Sequence, residues 1–108
     1  MTEDVRRTRR FPRLRAEHAV MFRQVESGDE SLARTGTVGL GGCMFLTDEA
    51  LEPGTHLELL ISVRSRVVRA GARVVYAARE GDDTWQVGVE FVEISPSDRA
   101  VIAGLFEE

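Results

Sequence analysis

The chain has 108 residues, 43% of them apolar and 30% charged, with a net charge of −4. That length supports a single hydrophobic core and one domain of ordinary size. No apolar run approaches the roughly 20 residues that span a bilayer, no apolar leader stands at the N-terminus, and Cys43 has no second cysteine to pair with, so we expect a cytoplasmic protein without membrane insertion or an internal disulfide.

Residues 1–15 hold six Arg against Glu3 and Asp4, a charge of +4, whereas residues 16–108 hold eight Arg against sixteen carboxylates, a charge of −8. The first segment shows neither helical nor strand period, and Pro12 biases Phe11 away from helix. It reads as an extended, arginine-rich arm ahead of a domain over 16–108. An acidic body repels a phosphate backbone, so nucleic acid is not the expected partner. A basic arm on such a body suits a small anion held locally.

The domain opens with "EHAVMFRQV", residues 17–25, a first strand, and "ESGDES", residues 26–31, a turn by composition. "ARTGTVGL" (33–40) and "CMFLT" (43–47) read as strands on either side of Gly41 and Gly42, which mark a bend or bulge. "DEALEPGT" (48–55) is a loop with a Pro-Gly turn. "HLELLISV" alternates, with Leu57, Leu59, Ile61 and Val63 on one face. "RVVRAGARVVYAA" places Val68, Ala70, Ala72, Val74 and Tyr76 on one face and Arg69 and Arg73 on the other. "EGDD" (80–83) closes a hairpin, and "TWQVGVEFV" turns Trp85, Val87, Val89 and Phe91 inward. At the end the period changes to that of a helix. Ser95 is its cap, Pro96 its first residue, Asp98 stands at the capping-box position, and Val101, Ile102, Leu105 and Phe106 form the apolar stripe. Repeated short strands with turn signals argue for a small antiparallel barrel on which this helix docks.

Two segments resemble the ligand motifs of the PilZ family, bacterial domains that bind cyclic di-GMP. "RRFPR" supplies the Arg-x-x-x-Arg arm as Arg9 and Arg13, with Arg10 beside them. "TVGLGG" lies in the register of the second motif, which in the family is Asp or Asn, any residue, Ser, two residues and Gly. "PGTHLEL", "ARVVYA" and "VGVEFVEIS" ahead of a helix follow in the family's order. The resemblance implies a mostly β fold: a six-stranded antiparallel PilZ-type barrel with a C-terminal α-helix. It also implies that Arg9, Arg10 and Arg13 contact the phosphates and guanines of the ligand, for which a guanidinium fork is chemically suited. In the second motif Gly42 matches, but Thr37 stands where the family has Asp or Asn and Gly39 where it has Ser. Losing one charge-assisted and one neutral hydrogen bond costs roughly 1.5–3 and about 1 kcal/mol, together on the order of 100-fold in affinity.

Trp85 and Tyr76 are expected in the core, Cys43 as a small buried hydrophobe, and Arg69 and Arg73 on an exposed sheet face with acidic neighbours. His18 and His56 have no partners at metal-ligand spacing, and no nucleophile–base pair can be nominated, so neither a metal, a cofactor nor an enzymatic activity is expected. Three readings of function follow. The first is a PilZ regulatory adaptor that works by contact with a protein of a motility, polarity, polysaccharide or secretion system and binds cyclic di-GMP weakly or not at all. The second is a functional cyclic di-GMP receptor in which Thr37 and backbone groups compensate. The third, a nucleic-acid-binding barrel, is disfavoured by the acidic body.

Overall fold

The computed structural model describes residues 13–106. Seven strands run β1 Arg13–Arg15, β2 Ala19–Gln24, β3 Glu30–Gly39, β4 Gly42–Thr47, β5 His56–Val63, β6 Arg66–Arg79 and β7 Trp85–Ile94. A helix, α1, follows over Pro96–Ala103 and runs into a 3-10 turn, Gly104–Phe106. The strand order is β1-β3-β2-β5-β6-β7-β4, every pairing is antiparallel, and β4 returns to β3. Six strands therefore close into a barrel, which removes the open sheet edges that invite aggregation. β1 lies in line with β2 along the same edge of β3. The last residues of the predicted arm are thus a short strand, too brief to show a period in sequence.

The alternation read from β5 is observed: Leu57, Leu59, Ile61 and Val63 are fully buried. They meet Val20, Phe22, Val38, Phe45, Val87 and Val89 in one core, and Cys43 is buried with them. Phe22 and Phe45 stack at its centre with centroids 5.0 Å apart.

Two bulges break the expected phase. On β6 the register shifts between Val74 and Tyr76, leaving Val75 as an extra residue. One inserted residue turns everything after it to the opposite face. Val74 is buried, but Tyr76 is 39% exposed and Ala77 takes the inward place. The expectation of Tyr76 in the core is corrected accordingly. Its ring lies flat on Gly88, where a Cβ would come within 2.1 Å of Tyr76 Cε2. On β7 the shift falls opposite Gly71 and Ala72, so Val92 is extruded between Phe91 and Glu93. Trp85 and Phe91 are half-buried against the core, and the Arg79 guanidinium sits 5.9 Å from the Trp85 ring centroid. The turn after β2 is also shorter than composition indicates, since β3 begins at Glu30, after Gly28 at φ +82°.

Ser95 caps α1, its Oγ accepting from the Asp98 N–H at 3.0 Å, with Pro96 in the first turn. The Asp98 carboxylate faces the Arg69 backbone N–H at 3.4 Å, a long contact that ties the start of the helix to β6. Ile102 and Leu105 are buried in the barrel core, and Val101 and Phe106 are half-buried against it.

Candidate functional site

β1 brings the arm to the second motif. Arg13 stands in register with Gly39, Leu14 with Val38 and Arg15 with Thr37. Leu14 and Val38 belong to the core side of this pair, so Thr37 and Arg15 share the outer side. Arg9 and Arg10 lie outside the described residues.

The outward aim of Thr37 depends on a third bulge. The β3–β4 register shifts between Thr35 and Thr37, with Gly36 as the extra residue. Thr35 and Thr37 would otherwise share a face. Instead Thr35 is 1% exposed, Thr37 is half-buried, and Val38 takes the next core position.

Thr35 is the positioning residue that sequence reasoning missed. Its Oγ1 donates to the Ala16 carbonyl at 2.6 Å and accepts from the His18 N–H at 2.8 Å. Backbone bonds from Ala16 N–H to Gly36 O at 3.1 Å and from Thr35 N–H to His18 O at 2.9 Å flank it. A buried hydroxyl must find partners, and here they fasten the link between β1 and β2. The sequence signal, a Thr at an inward position, is indistinguishable from an ordinary strand Thr.

Across the outer surface, Arg15, Thr37, Met44, Gly88 and Tyr76 stand opposite one another in a single cross-strand row. Gly42 stands opposite Glu90, whose carboxylate is held by Arg73 Nε at 2.9 Å. Gly42 allows no side chain, because its Cβ would lie 2.1 Å from the Val89 carbonyl oxygen. The bend at Leu40 and Gly41 is fixed from two sides: Arg99 donates to the Leu40 carbonyl at 3.3 Å and the Phe91 N–H to the Gly41 carbonyl at 2.8 Å. Among the sequence-selected residues, Arg13, Thr37 and Gly39 are thus brought together through β1 and β3, with Gly42 at the start of the adjoining strand. The row offers one neutral hydroxyl, one guanidinium and one exposed phenol, and no carboxylate at Thr37.

The model of the PilZ domain matches residues 7–108. The chain belongs to the PilZ domain family. This is a family of cyclic di-GMP-binding signalling domains. Solved structures share the fold at low identity. The PilZ domain of YcgR from Escherichia coli with c-di-GMP is 18% identical with a TM-score of 0.72, the match covering 88% of this chain and 86% of that one. Bacillus subtilis inhibitor of motility, MotI/DgrA, is 18% identical with a TM-score of 0.76, over 92% of this chain and 50% of that one. The K. pneumonia MrkH–c-di-GMP complex is 17% identical with a TM-score of 0.72, over 92% and 50%. The PilZ chain described here therefore spans about half the length of the last two proteins. No curated protein sequence matches it.

Outside this region the chemistry is sparse. Among the described residues no group of three His, Cys, Asp or Glu could hold a metal, and His18 and His56 occupy separate segments. No helix among them is long and apolar enough to cross a membrane.

Proposed function

We propose that this PilZ domain is a cytoplasmic, non-enzymatic regulatory adaptor in bacterial cyclic di-GMP-type signalling. It acts by contact with a protein partner and binds cyclic di-GMP weakly or not at all. The observation that carries this reading is the outer face of β3. Opposite the arginines of β1 stand Thr37, with one neutral hydroxyl, and Gly39, which is buried and has no side chain. A guanine N–H edge or a guanidinium that would donate a charge-assisted bond to a carboxylate finds no carboxylate at these two positions. The partner belongs to a motility, polarity, polysaccharide or secretion system. A motility role is the name of one structural relative, the inhibitor MotI.

The alternative is a functional receptor in which Arg9, Arg10 and Arg13 grip the phosphates and guanines. Two observations favour it. Arg13 is held in register with Gly39, and the exposed Tyr76 ring shares a row with Thr37, where a base could stack.

Calorimetric titration with cyclic di-GMP separates the two. The adaptor reading expects a Kd weaker than about 10 μM, or less than roughly 7 kcal/mol. Submicromolar binding by the unmodified protein selects the receptor.

A further inference from the structure

A second face of the barrel, made without Arg13, Thr37, Gly39 or Gly42, carries a cleft of about 400 Å³ between the sheet and the start of α1. Its floor is built from two cross-strand rows. Met21, Leu60 and Arg69 stand opposite one another in the first, and Glu58, Gly71 and Glu93 in the second. Gly71 leaves a notch between two carboxylates. A Cβ there would make only ordinary contacts, the nearest at 3.5 Å to Glu93 Cβ, so packing does not require the gap. Glu58 is paired with Arg23 at 2.5 Å, whereas neither Glu93 nor Arg69 forms an ion pair among the described residues.

We propose that this face binds a second copy of the chain, with Arg69 of each copy seated in the Gly71 notch of the other. Arg69 and Gly71 are two residues apart on one strand and so open onto the same side of the sheet. A two-fold axis crossing β6 at Ala70, parallel to the sheet surface, lays each Arg69 over the other copy's Gly71. The contact is made twice by one operation, as an isologous interface requires. The guanidinium then lies between Glu93 and Glu58, and a charge without an ion pair in one copy meets its opposite in the other.

Charge selects this occupant over others. The cleft holds both signs, Arg23 and Arg69 against Glu58, Glu93 and Asp98, so a partner of either single sign would meet like charge as well as unlike. A face that carries its own complement fits itself. Apolar surface is also present: Val67, two residues before Arg69 on β6, is 61% exposed. A closed barrel curves away on either side of β6, so the contact lies at the small end for a specific interface, and dissociation in the range of roughly tens of micromolar is expected.

The test is sedimentation of the full chain from about 5 to about 500 μM, a range that brackets an interface of this size. A monomer–dimer equilibrium that weakens with added salt is expected. Gly71→Val should fill the notch while leaving the melting temperature unchanged, and Arg69→Glu should reverse the inserted charge. Each should raise the dissociation constant at least tenfold, as loss of a close interfacial charge pair does. Arg69→Glu, an exposed sheet substitution, keeps the test valid if Gly71→Val lowers stability. A protein monomeric throughout the range overturns the proposal. So does a dimer unaltered by both substitutions.

Discussion

At position 37 the proposed adaptor reading can be tested with one carboxylate. Thr37 faces outward on a half-buried strand opposite Arg15. Aspartate fits the same place without entering the core. Thr37→Asp should therefore strengthen cyclic di-GMP binding about tenfold or more, the equivalent of one charge-assisted hydrogen bond. Parallel titrations of the two folded proteins measure it. Equal affinities would mean that the arm and β3 do not converge on one ligand. Two residues earlier, Thr35 has the opposite task, holding Ala16 and His18 from within. Thr35→Val keeps the shape and removes both bonds, leaving a part-buried carbonyl and N–H without that partner. It should cost about 1–3 kcal/mol. Thermal unfolding gives the loss of stability, and faster amide exchange at His18 locates it. Unchanged exchange there would show that the backbone bonds alone secure β1.

Strands and helix differ in how plainly they were written in the chain. β5 was legible residue by residue, since its period of two runs unbroken from His56 to Val63 and one face is buried throughout. α1 was legible from its cap and its change of period. The bulges were not. An extra Val75, Gly36 or Val92 adds a residue without altering composition, and only the pairing register reveals the phase change. Tyr76 was therefore assigned to the wrong side. Thr37, Gly39 and Gly42 could be picked out by resemblance to the family's second motif, but β1, three residues long, could not, and with it went the pairing of the arm with β3. The helix carries a direct energetic test. Ile102 is fully buried between α1 and the barrel, so Ile102→Ala should destabilise by about 2–5 kcal/mol. A melting temperature equal to that of the parent would show that α1 contributes nothing to the core.

For the molecule as a whole, the dominant long-range fact is the separation of charge between residues 1–15, at +4, and the remainder, at −8. Any engagement of the arm with an acidic surface is electrostatic and fades with salt, because exposed charges are screened beyond about 10 Å at 0.1 M. Arg9→Ala with Arg13→Ala should abolish capture of protein partners from native cytoplasm while leaving the circular dichroism spectrum unchanged. The same partners retained at the same salt tolerance would make the arm a bystander. Gly42 bears on how such proteins are recognised at all. Its Cβ would lie 2.1 Å from the Val89 carbonyl, at the seam where β4 meets β7. Selection for a closed barrel alone would thus hold that glycine in place, in a lineage that had given up its nucleotide as firmly as in one that kept it. The last letter of the second motif is a record of architecture. Position 37, half-buried on the outer side of β3, carries no such constraint from the barrel.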